Sequence, residues 1–72
     1  MREDISPREV NFESLEDLQR GDLVYFEFLA AQDIQKGDQF RWRCGPHTGK
    51  AEVVGIWKPR KGQVRCTARR VN

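Results

Sequence analysis

The residues best equipped for chemistry in this 72-residue chain are its cations, its two cysteines and its single histidine. Cys44 and His47 stand in a Cys-x-x-His spacing that could begin a zinc site, with Cys66 as a third donor. Structural zinc takes four ligands, usually supplied as close pairs, and no fourth ligand is placed to complete the set, so no metal is expected. Catalysis has as little to work with. His47 lies in a glycine-rich loop, and no serine or cysteine has an identifiable base partner. Gly45 to Lys50 lacks the Gly-x-x-x-x-Gly-Lys-Ser/Thr order that cradles phosphates, and a chain this short encloses a substrate pocket poorly. The reading is a protein that is not an enzyme and needs no cofactor.

The cations are more informative because of where they fall. Up to Asp33 there are nine acidic and three basic residues, net −6; from Ile34 onward there are two acidic and ten basic, net +8. Arg41 and Arg43 alternate with Phe40, Trp42 and Cys44, and Arg65 and Arg69 alternate with Val64, Cys66 and Ala68. At the period of two of a strand, this puts the apolar residues inside and two arginine stripes outside. Lys50, Lys58, Arg60 and Lys61 lie in the expected connecting turns and extend a positive face suited to phosphates, with Trp57 or Tyr25 as a stacking platform. The same alternation also solvates a sheet, and a net charge of +2 is modest for a nucleic-acid binder, so a protein partner stands beside RNA or DNA. The acidic Glu3, Asp4, Glu9, Glu13, Glu16 and Asp17 read as a solubilising arm, or as a segment that folds over the arginines and competes with phosphate.

Six segments must position these residues. Residues 1–13 hold few large apolar groups and include Pro7, so a flexible acidic arm is expected there. Ser14, with Asp17 three residues on and Leu15 and Leu18 on one face, marks a short helical turn that Gly21 ends. Val24, Phe26 and Phe28 share a face of a first core strand, Phe40 to Cys44 form a second, Ala51 to Lys58 a third with a bulge or bend at Gly55, and Val64 to Arg69 a fourth. Phe26, Phe28, Phe40, Trp42, Val53 and Val64 are the expected core, joined by Cys44 and Cys66 as free structural thiols, with a bridge between the two as the main alternative. The economical way to bury four to five short, bent antiparallel strands in about fifty residues is to curl them into a small barrel. The expectation is a mainly β chain: a single SH3-like barrel over residues 14–72, preceded by a short N-terminal helical turn.

The stretch Gly37-Asp38-Gln39-Phe40-Arg41-Trp42-Arg43-Cys44-Gly45-Pro46-His47-Thr48-Gly49-Lys50-Ala51-Glu52-Val53-Val54 resembles the KOW motif. The shared features are a Gly-Asp turn, an alternating apolar strand, a Gly-Pro-x-x-Gly loop and a second strand opening on apolar residues; Glu52 stands where that family carries its most characteristic glycine. The resemblance implies an SH3-like barrel whose loop and neighbouring strands contact RNA or another protein. No apolar stretch is long enough to span a bilayer and no secretory signal follows Met1, so a cytoplasmic binding module with no membrane partner is the expectation.

Overall fold

In the computed structural model, which describes residues 7–71, the first regular element is a two-residue strand β1, Arg8–Glu9, followed by helix α1, Phe12–Arg20. The helix begins earlier than the Ser14 signal suggests. Asn11 is its N-cap, in extended conformation, and its Oδ1 accepts a 2.8 Å hydrogen bond from the Ser14 amide. Asparagine caps at least as well as serine, and starting at Asn11 leaves Val10 free to pack on the core and donate its amide to Arg43 O at 2.9 Å. Gly21, at φ 85°, closes the helix: its amide reaches Leu18 O, and that of Asp22 reaches Asp17 O. This pair of bonds satisfies the terminal carbonyls and needs the left-handed conformation that glycine adopts without strain. Leu15 and Leu18 are buried. Residues 7–13 of the expected arm therefore belong to the folded unit, while Glu3 and Asp4 lie outside the described residues.

Four longer strands follow: β2, Val24–Leu29; β3, Gln39–Cys44; β4, His47–Arg60; and β5, Gln63–Val71. Val24, Phe26 and Phe28 point inward from β2, Phe40, Trp42 and Cys44 from β3, Ala51 and Val53 from β4, and Val64, Cys66 and Ala68 from β5. The expected core residues all occupy this interior, and Ile34, from the polar-looking connection before β3, joins them. Lateral order is β1-β3-β4-β5-β2; β1 runs parallel to β3, a departure from the all-antiparallel expectation, and the other pairs are antiparallel.

β2 and β3 are not neighbours in that order, yet the Phe40 ring meets Phe26 at 4.7 Å and Phe28 at 5.2 Å between centroids, both edge to face. The sheet must therefore curl until its two sides face one another, which gives the small SH3-like half-barrel with one short helix. Arg8 spans the open seam: its guanidinium carbon lies 4.6 Å from the Phe28 ring centroid and it donates to the Glu27 carbonyl of edge strand β2. A charged side chain thus caps a backbone acceptor that a sheet edge otherwise leaves open.

Two local details set the facing of side chains on β4. The β3–β4 turn is only Gly45-Pro46, so His47, Thr48 and Gly49 are already in the strand and the expected five-residue loop is shorter than its composition suggests. The register with β5 then shifts between Val53 and Gly55, a bulge that inverts strand parity. Ile56 consequently faces Cys66 and packs on the core, while Trp57 faces Arg65 on the outer surface.

Candidate functional site

The outer surface of the sheet carries the cationic residues in two groups. In the first, Arg41 on β3 is the cross-strand partner of Lys50 on β4, and Arg69 on β5 is the partner of Glu52 on β4. Side chains directly opposite each other on an antiparallel pair share a face, so Arg41, Lys50 and Arg69 occupy one surface of three neighbouring strands. Glu52 is engaged by Gln39 Nε2 at 3.4 Å. Among the described residues Arg41, Lys50 and Arg69 form no ion pair. Arg43, expected with them, is held differently: its Nε lies 3.2 Å from Glu9 Oε1, a residue that β1 brings alongside. Part of the acidic N-terminal segment does therefore reach the arginine face, among the described residues at Arg43.

The second group lies where β2, β5 and β4 run side by side. Arg65 sits between Glu27 on β2 and Trp57 on β4, and donates through Nε to Glu27 Oε2 at 3.2 Å. One residue pair further along β5, Thr67 is flanked by Tyr25 and Gly55. The Trp57 and Tyr25 rings lean together over β5, with centroids 5.8 Å apart and planes at 84°. Tyr25 is 72% exposed and Trp57 39%. Together with Arg65, Glu27 and Phe26 they line a shallow cleft of about 330 Å³. Lys58 and Arg60 are exposed on the same strand beyond Trp57 and form no ion pair among the described residues.

The eight residues singled out from the sequence thus fall into an unpaired set, Arg41, Lys50 and Arg69, and a second set, Trp57, Lys58, Arg60 and Arg65, with Arg43 neutralised at the margin. Tyr25 and Glu27 complete the second set. Their outward facing follows from the alternation of β2, but their adjacency to Trp57 requires knowing that β5 lies between β2 and β4.

Cys44 and His47 face each other across the two-residue turn, and among the described residues no group of three His, Cys, Asp or Glu side chains is arranged around a common point for a metal. Both cysteines are buried free thiols, and burial pushes the Cys66 thiol up to about 11, with the positive charge of Arg8 opposing part of that rise. Such a thiol is protonated at neutral pH and is a poor nucleophile. No helix among the described residues is long and apolar enough to cross a membrane. Comparison of the chain with protein-family models, curated proteins and solved structures found no match.

Proposed function

We propose that this domain is a non-catalytic binding module that contacts nucleic acid through the outer face of its sheet, acting in the cytoplasm, where two free thiols suit a reducing compartment. The observation that carries the reading is the grouping of Arg41, Lys50 and Arg69 on three neighbouring strands, none of them in an ion pair among the described residues and together outweighing Glu52, the carboxylate opposite Arg69. Cations held close together on a stiff surface repel one another, and a polyanion relieves that repulsion while releasing its condensed counterions. The likeness of residues 37–54 to the KOW motif supports the same partner class.

The test is a salt-titrated binding measurement with labelled RNA and DNA, single-stranded and duplex. Wild type should lose affinity steeply with salt, and Arg41→Glu combined with Lys50→Glu should remove about two phosphate contacts, lowering the slope of log affinity against log salt by about 0.7 to 0.9 for each. No affinity for any of these polymers at low salt refutes the reading. A protein adaptor is the second reading, favoured by the exposed Leu23, Tyr25, Leu29 and Trp57 on and beside the β2 edge.

A further inference from the structure

We infer that the Tyr25–Trp57 corner is a stacking site for one unpaired nucleobase, so that the module prefers single-stranded nucleic acid to duplex. The inference rests on the proposed nucleic-acid reading and adds which form of the polymer is bound and where its bases go. Three observations carry it.

The first is ring geometry. An edge-to-face pair at 84° presents two aromatic faces as the walls of a corner, and the cleft of about 330 Å³ beside them admits a single planar ring. Every base has a π-face, whereas in a duplex both faces of each base are already stacked, and exposing one costs unstacking. The second is charge. Glu27 binds Arg65 through Nε alone, which fixes the guanidinium at the cleft while neither of its Nη groups has a partner among the described residues. Arg60, opposite Gln63 of β5 and so on the same face as Arg65, adds positive charge. Glu27 and Arg65 cancel, and the surplus is cationic, so the corner suits a planar ring attached to an anion rather than a planar or methylated cation.

The third is continuity with the phosphate face. Arg69, Thr67 and Arg65 point outward in succession along β5, with Arg69 about 13 Å from Arg65 at strand rise. A backbone lying along β5 can therefore keep phosphates on Arg69 and Arg65 while the base between β2 and β4 turns into the corner. The Val54 bulge makes this possible, since without it Trp57 would point into the core.

The experiment measures the affinity of the full chain for a short labelled strand of mixed sequence, as RNA and as DNA, and for the duplex formed with its complement. Trp57→Ala should reduce the ratio of single-strand to duplex affinity about 5- to 150-fold, the range expected for one stacked base, without changing the salt slope. Trp57→Phe should restore most of the ratio, and Tyr25→Ala, at a position already open to solvent, should lower it in the same direction while melting like wild type. Single strands should quench the tryptophan emission of wild type but not of Trp57→Phe, because Trp42 is buried. If wild type binds and the Arg41→Glu, Lys50→Glu variant weakens it while Trp57→Ala and Tyr25→Ala keep the wild-type ratio, the stacking site is refuted and the phosphate face stands. If wild type binds no nucleic acid, both fall. Quenching by a proline-rich peptide and not by oligonucleotide overturns the inference in favour of a protein ligand.

Discussion

Gly49→Ala should destabilise the domain by about 2 kcal/mol although it adds only one methyl group. A β-carbon at Gly49 would lie 2.7 Å from Trp42 Cε2, 3.0 Å from Nε1 and nearer still to Cζ2. Carbon atoms pack at about 3.5 to 4.0 Å, so the ring or the strand must move by roughly 1 Å. Trp42 is 3% exposed inside the core cluster, and close-packed interiors resist displacement of so large a ring. Overpacking of this kind costs about 1 to 3 kcal/mol, and so deep an overlap with a rigid buried ring belongs at the upper end. Against it stands the loss of unfolded-state freedom when alanine replaces glycine, worth about 0.4 to 1 kcal/mol, because Gly49 is not in the left-handed region and its backbone accepts alanine. The net of about 2 kcal/mol is a large part of the roughly 4 to 11 kcal/mol expected for a domain of this size. It lowers the melting temperature by about 8 to 16 °C, read by circular dichroism. Gly55→Ala is the control: its β-carbon meets only Thr67 Oγ1, at 2.8 Å, a hydroxyl that can rotate away, so a smaller shift is expected. Trp42→Phe, which removes the second ring, should relieve part of the Gly49→Ala penalty in a double-mutant cycle. A Gly49→Ala protein that melts at or above the wild-type temperature refutes the reasoning.

Helix capping separates two neighbouring residues: Asn11→Ala should cost about 0.5 to 2 kcal/mol in urea unfolding and Ser14→Ala much less, since Ser14 contributes its backbone amide and not its side chain to the cap. The reverse order of effects would place the cap at Ser14. Stability should also decline at alkaline pH through Cys66, whose thiol rises from 9.0 to about 11 on folding. The folded state then keeps a proton that the unfolded chain has lost, so this contribution is fully present below about pH 9 and is lost as pH rises toward 11, by up to about 1.4 kcal/mol per pH unit. Denaturation midpoints of Cys66→Ala should fall less steeply than wild type across that window; parallel curves would contradict the assignment.

Strand identity and facing were legible in the chain because they are local. Period-two alternation alone places Phe26, Phe28, Phe40, Trp42, Val64 and Cys66 inside and Arg41, Arg43, Arg65 and Arg69 outside, and each of them lies on that side. The helix was legible in its apolar pair, Leu15 and Leu18, but not in its start, since Asn11 and Ser14 are both competent caps and only the packing of Val10 and the pairing of Arg8–Glu9 with β3 favour the earlier one. What facing cannot convey is which strands become neighbours. Arg43 and Arg65 look equivalent to Arg41 and Arg69 until Glu9 and Glu27, 34 and 38 residues away, are brought beside them, which divides one apparent stripe into cations that bind a carboxylate and cations in no ion pair among the described residues. Trp57 depends on a single extra residue at Val54, whose effect on facing is settled only when β4 is set in register against β5. The meeting of Tyr25 with Trp57 likewise needs β5 between their strands, and the capping of the β2 edge by Arg8 needs the sheet to curl until its edges approach. Side-chain facing follows from the geometry of a few consecutive residues, whereas the charge balance and aromatic corner of the outer face follow from pairings between distant segments that only the closed sheet brings together.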